Sequence, residues 1–144
     1  MIESNIVLTN GVFDIIHRGH IKLLEFCKTH GNYLIVAIDS DERVKQIKGN
    51  FRPVNSQNDR KLLLESIRYV DEVIIFHTEE ELRQLHISIK PHVFVKGSEY
   101  NITQMNNIAE TTKIIPFTML KNYSTTNMIE KIQLLPTHLK ELQQ

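Results

Sequence analysis

Residues Thr9 to His20, TNGVFDIIHRGH, set two imidazoles and two glycines at the point where a short apolar strand gives way to a helix. That layout suits phosphate. Ile6 to Leu8 read as the strand, and Ile21, Leu23, Leu24 and Phe26 give the next segment a helical apolar pattern. His20 therefore falls near a helix N-terminus, where unpaired backbone N–H groups and the positive end of the helix dipole attract anions. Gly19 lets a ligand approach the backbone closely, and both histidines can donate N–H to phosphate oxygens. A nucleotide is the natural guest of such a turn.

The wider pattern GxFDxxHxGH, from Gly11 to His20, resembles the signature of the nucleotidyltransferase superfamily. That superfamily includes cytidylyltransferases, pantetheine-phosphate adenylyltransferase and class I aminoacyl-tRNA synthetases, and the long form looks like its cytidylyltransferase branch. Three further segments extend the likeness: Lys45 to Asn55 (KQIKGNFRPVN) followed by Asp59-Arg60-Lys61, Val93 to Tyr100 (VFVKGSEY), and Ser124 to Ile129 (STTNMI). In order and spacing they are similar to the D-glycero-β-D-manno-heptose 1-phosphate adenylyltransferases, which stand alone or are fused to a sugar kinase. The likeness runs from about Val7 to about Ile132. Glycerol-3-phosphate cytidylyltransferases share the first and last motifs and the Arg68 to Val73 run, but match the KGxxRPVN and VKGxxY segments less well. Their RxxGISTT motif is not intact here, because Leu120-Lys121-Asn122-Tyr123 precedes the serine–threonine triplet.

The resemblance implies a role for each motif. His17 and His20 would donate to the α-phosphate as a phosphate oxygen of a second substrate attacks in line and pyrophosphate leaves, chemistry that rests on positioning and electrostatics. The competing reading is one helix-capping histidine and one packed histidine. Lys48 and Lys45, at the end of a short helix, could reach the leaving phosphates as point charges or simply complement the helix dipole. Arg52 and Arg60 have the planar fork that suits the second substrate's phosphate, with surface salt bridging as the alternative. Lys96 and Gly97 leave an internal strand and would meet base or ribose. Ser124, Thr125 and Thr126 offer hydroxyl and N–H groups to a triphosphate, although such residues cap any helix. Asn10, Gly11, Phe13 and Gly19 complete the expected nucleotide site, and Asp14 either orients its loop or makes an Asx turn. Triphosphate chemistry implies Mg²⁺ or another divalent cation carried by substrate phosphates and water, with no protein ligand named. The resemblance also implies a homodimer.

Composition fits a compact enzyme domain. The 144 residues suit one domain, expected over residues 1–135 with a separable tail at 136–144. Seventeen basic residues against seventeen acidic give zero formal charge, so no global field recruits nucleic acid or membrane. Local loops must bind any phosphate. Cys27, the single cysteine, reads as core packing. No apolar run approaches the ~20 residues that cross a bilayer, and the start lacks the features of a signal peptide, so a cytoplasmic location is expected. The histidines at 30, 77, 86, 92 and 138 share no metal-ligand spacing.

Strand-like and helix-like runs alternate, the pattern of a parallel sheet with crossover helices. Strands are expected near Ile6–Thr9, Tyr33–Ile38, Glu72–Phe76, His92–Val95 and Lys113–Pro116. Helices are expected at His20–Thr29, Asp41–Gln46, Asn58–Arg68, Glu79–Ile89 and from about Thr126 to Leu134, with Gly31 as a glycine cap ending the first. The result is an α/β domain, a small doubly wound Rossmann-like parallel five-stranded sheet with helices on both faces. The resemblance implies strand order 3-2-1-4-5, which opens a crevice at the carboxyl ends of the first and fourth strands. The reading is a nucleotidyltransferase joining a nucleoside triphosphate, expected to be ATP, to a sugar phosphate such as heptose 1-phosphate. Glycerol-3-phosphate cytidylyltransferase, flavin mononucleotide adenylyltransferase and a non-catalytic nucleotide-binding module are the alternatives.

Overall fold

In the computed structural model, residues 3–97 and 112–136 are described. Ser98, Glu99 and Tyr100 of the fourth-strand motif, His138 and residues 137–144 of the expected tail lie outside them. The elements run β1 (Ile6–Gly11), α1 (Arg18–Lys28), β2 (Tyr33–Asp39), α2 (Asp41–Lys48), α3 (Gln57–Glu65), β3 (Glu72–Phe76), α4 (Glu79–Ile89), β4 (Val93–Gly97), β5 (Lys113–Phe117) and α5 (Thr125–Gln133). All neighbouring strands pair in parallel in the order β3-β2-β1-β4-β5. This is the doubly wound, Rossmann-like sheet expected from the alternation of apolar runs.

Strand parity divides the interior into two cores. Val7, Val36, Ile38, Val93 and Val95 face one way and pack with Leu23, Leu24 and Cys27 of α1 and Leu64 of α3. Leu8, Ile35, Ala37 and Phe94 face the other way, where Leu82, Leu85 and Ile89 of α4 cover them. Strands covered on both faces become continuous apolar runs, which is why β1, β2 and β4 were so legible.

Helix starts follow a simple chemistry with one exception. Ser40, Ser56, Thr78 and Ser124 each accept the N–H three residues on, at α2, α3, α4 and α5, satisfying donors that the helix leaves unpaired. At α1 the cap is His17. The helix consequently begins at Arg18, two residues before the expected start, and His20 sits one turn inside it.

Two other expectations need correction. Gly31 is not a left-handed helix cap: α1 ends at Thr29 in the right-handed region, and the left-handed glycine is Gly49, after α2, with φ 101°. Gly31 is required for space, since a Cβ there would lie 2.3 Å from the Asn5 carbonyl oxygen. Helix α3 stops at Glu65 instead of Arg68, because the Ser66 hydroxyl bonds the Leu62 carbonyl and tight turns over Leu64–Ile67 and Ile67–Val70 carry the chain into β3.

Candidate active site

A cleft of about 370 Å³ opens at the carboxyl ends of β1, β2 and β4, the position where open parallel sheets bind ligands. It gathers Asn10, Gly11, Phe13, His17, His20, Lys48, Arg52, Lys96, Gly97, Ser124, Thr125 and Thr126. Segments separated by more than a hundred residues thus share one surface.

The two imidazoles hold each other in place. His17 Nδ1 accepts the Gly19 N–H at 3.0 Å, and His20 Nδ1 accepts the His17 N–H at 3.1 Å, a reciprocal capping box made of histidines. Their rings lie 3.9 Å apart, tilted by 30°, and Phe13 stands 5.2 Å from His20. Because each Nδ1 is an acceptor, each neutral ring carries its proton on Nε2. Burial lowers the pKa of His17, and burial together with the His17 charge brings that of His20 down to about 3. Both are therefore neutral donors at ordinary pH. The capping role and the ligand role are compatible, since they use opposite nitrogens.

The loop between β1 and α1 is bent against its preference. Phe13 and Ile15 have φ of 55° and 48°, a left-handed conformation that costs non-glycine residues about 1–2 kcal/mol each. Asp14, fully buried, offsets this by accepting the backbone N–H groups of Val54 and Asn55 at 2.7 and 2.9 Å. The Thr125 hydroxyl donates to the Asp14 carbonyl. Asp14 thus orients the loop, and the same contacts tie the first motif to the KGxxRPVN loop and to the start of α5.

Three sequence candidates stand elsewhere. Arg60 is fully buried, donating to the carbonyls of Val12 and Asp39 at 2.8 Å, of Asn55 at 3.0 Å, and to Asp41 Oδ1 at 2.9 Å. It braces three chain segments behind the cleft, so no substrate phosphate reaches it. Gly19 is buried and outside the lining; a Cβ there would lie 2.8 Å from the His17 ring and 3.1 Å from Tyr123 Cβ, so it makes room for the imidazole and not for a ligand. Lys45 points to solvent outside the cleft, whereas Lys48 lines it. Arg52 lies beside α5, its Nη1 at 3.4 Å from Thr126 Oγ1, and its buried Nε has no partner among the described residues.

Asp39, Arg43, Met119 and Tyr123 line the cleft without having been singled out as ligands. Arg43 Nε donates to Asp39 Oδ1 at 2.7 Å, its guanidinium carbon 5.4 Å from the Phe76 ring centroid. The only sequence signal for this pair was its four-residue spacing across the junction of β2 and α2. Lys96 Nζ donates to Asn10 Oδ1 at 2.9 Å. Burial lowers its pKa to about 8, with Asp39 opposing the shift and Arg43 adding to it. Among the described residues no group of three or more histidine, cysteine or acidic side chains could hold a metal, and no helix is long and apolar enough to cross a membrane.

The cytidylyltransferase-like family profile matches residues 8–132. The chain belongs to that family. Its chemistry is accordingly that of a nucleotidyltransferase. It is 44% identical over 132 residues to the bifunctional protein HldE of Aliarcobacter butzleri, and 41% identical over 133 residues to that of Campylobacter jejuni. These matches cover 90% and 91% of this chain but 27% and 28% of those proteins; the chain spans little more than a quarter of the relatives' length. Among solved structures, a lipopolysaccharide core biosynthesis protein from Thermoplasma volcanium superposes with a TM-score of 0.72 at 26% identity, covering 83% of this chain and all of that one. Pantothenate synthetase from Thermus thermophilus shares the fold, with a TM-score of 0.58 at 14% identity over 95% of this chain and 64% of its own.

Proposed function

We propose that this chain transfers AMP from ATP to a sugar 1-phosphate of the heptose 1-phosphate type, releasing pyrophosphate. The observation that carries the reading is the convergence of two neutral Nε2–H donors, the serine–threonine start of α5 and the Lys96 ammonium on one cleft. The heptose assignment draws on the resemblance of the KGxxRPVN and VKGxxY segments and on the HldE relatives.

A phosphate oxygen of the acceptor attacks the α-phosphorus of ATP, forming a new P–O bond, while the bond from that phosphorus to the bridging oxygen breaks and pyrophosphate departs with its electron pair. The attacking oxygen is already ionised, so no general base is needed. What the protein supplies is a fixed field. His17 and His20 donate hydrogen bonds to the oxygens of the α-phosphoryl group without giving up protons, since their capping bonds fix them before substrate arrives. The N–H groups of Ser124 to Thr126 and the hydroxyls of Ser124 and Thr126, with Arg52 beside them and Lys48 at the rim, receive the departing pyrophosphate. Mg²⁺ bound to the triphosphate would neutralise part of its charge. The donor set fits an ion brought by substrate, because the lining carboxylate Asp39 is already paired with Arg43.

The test is pyrophosphate release from ATP, CTP, GTP and UTP, each with heptose 1-phosphate, glycerol 3-phosphate or flavin mononucleotide. ATP with heptose 1-phosphate should be fastest. A preference for CTP with glycerol 3-phosphate overturns the assignment, and triphosphate binding without turnover for any acceptor replaces it with a sensor.

A further inference from the structure

The walls of the cleft come from opposite faces of the sheet. The imidazoles stand at the start of α1, whose Leu23 and Leu24 pack on the Val7 and Val36 face. Asn10, Asp39 and Lys96 continue the parity of Leu8, Ala37 and Phe94, and so belong to the face that α4 covers. In-line displacement needs the incoming and departing oxygens on opposite sides of the phosphorus. Arg52 bonds Thr126 and so joins the wall where a departing pyrophosphate would lie, and Arg60 is sealed behind the cleft. Neither arginine expected to bind the acceptor stands on the wall opposite the departing group. The cations on that wall are Lys96 and Arg43.

Resting on the transferase reading above, we propose that Asp39 and Arg43 form the polyol half of the acceptor subsite and set which phosphorylated acceptor is used, with Lys96 meeting the acceptor's phosphate. Lys96 on β4 and Asp39 on β2 flank β1, roughly 10 Å apart for two strand spacings. A sugar 1-phosphate brings a ring of hydroxyls toward the Asp39 end, whereas a three-carbon glycerol chain brings few. The chemistry at the far end also fits a sugar. A carboxylate accepts hydrogen bonds from hydroxyls, and the guanidinium, with Nε committed to Asp39 Oδ1, has further N–H groups for a hydroxyl oxygen. Both side chains are pre-positioned: Asp39 is 5% exposed, and Arg43 is held by Asp39 at 2.7 Å and by Glu79 Oε1 at 3.7 Å. A subsite organised before binding is what selectivity between similar acceptors requires.

The experiment is steady-state pyrophosphate release by the full chain and by its D39N, R43M and R43K variants, with ATP and either heptose 1-phosphate or glycerol 3-phosphate. Wild type must turn over heptose 1-phosphate; if it uses neither acceptor, the sugar-phosphate assignment itself falls. Given turnover, D39N and R43M should raise the KM for heptose 1-phosphate about tenfold or more, leave the KM for ATP within about twofold, and cut the preference over glycerol 3-phosphate by a similar factor. R43K, which keeps the charge but not the fork, should fall between. The unchanged ATP constant reports a folded site. An unchanged heptose 1-phosphate KM, or a rise confined to ATP, overturns the subsite while leaving the transferase reading intact.

Discussion

The two walls of the cleft are built in different ways. The α1 wall is made by local sequence: within twelve residues a strand ends, two residues take left-handed conformations, and two histidines cap the helix and each other. The wall of Asn10, Asp39, Arg43 and Lys96 is made by assembly, with side chains from three strands and one helix meeting across the sheet. Asp39 pairs with Arg43 and Lys96 donates to Asn10, whereas the imidazoles are neutral. The first wall suits a step that all members of a reaction class share, and the second suits the choice of substrate. Experiments that separate chemistry, selectivity and stability can break this contrast.

The largest effect is expected where neither wall meets substrate. Arg60 joins both, through the carbonyls of Val12 and Asp39, and is fully buried beside Asp41. Replacing it with methionine should cost about 3–5 kcal/mol, because buried carbonyls and a carboxylate lose their donor. Thermal melting should then fall by roughly 10 °C or more. A variant that melts normally and loses only acceptor affinity would return Arg60 to the substrate site.

Next come the histidines. His20→Ala removes one preorganised donor and should lower kcat/KM about a hundredfold, equivalent to about 3 kcal/mol, with a smaller loss of about 1 kcal/mol in stability from the broken cap. A double replacement that keeps activity would refute the mechanism. Loss of stability without loss of rate would show that capping is the pair's whole purpose.

The same contrast decided what could be read from the sequence. β1, β2 and β4 are continuous apolar runs, and the Ser and Thr residues at 40, 56, 78 and 124 mark helix starts by chemistry that acts over three residues. The imidazole pair was legible for the same reason. Arg60 was not, because nothing in its neighbours shows that three distant carbonyls and a carboxylate converge on it. Gly19 and Gly31 were identified as glycines that matter but for the wrong cause: the obstruction at Gly31 is the Asn5 carbonyl, brought near by the fold. Asp39 and Arg43 escaped notice because a carboxylate and an arginine four apart are ordinary on a surface, and only the sheet order places them in the cleft.

A smaller effect distinguishes buried histidines by their partners. His86 is fully buried against Phe94, with ring centroids 4.7 Å apart, and neither ring nitrogen has a hydrogen-bond partner among the described residues. Burial, aided by the Lys96 charge, lowers its pKa from 6.5 to about 4. The unfolded chain therefore binds more protons than the folded one between those values, and stability is lost as pH falls from 6.5 toward 4. His20, lowered to about 3, adds to the same acid sensitivity. His86→Leu should raise stability by about 1 kcal/mol and flatten the dependence of melting temperature on pH over that window. An unchanged slope would mean that His86 stays neutral for a reason shared with the unfolded chain.

The smallest expected difference lies at the rim, between two lysines one turn apart on α2. Lys48 lines the cleft, while Lys45 faces solvent outside it. Each is exposed, so neither can contribute more than a solvent-screened attraction, about 1 kcal/mol at most. Lys48→Ala should therefore raise the KM for ATP about fivefold at low salt, and the effect should shrink as ionic strength rises and the Debye length falls below ~10 Å. Lys45→Ala should stay within about twofold under all conditions. Equal responses from the two would mean that the triphosphate senses the charge of the whole helix end, and that the pyrophosphate side of the cleft is less sharply bounded than its geometry indicates.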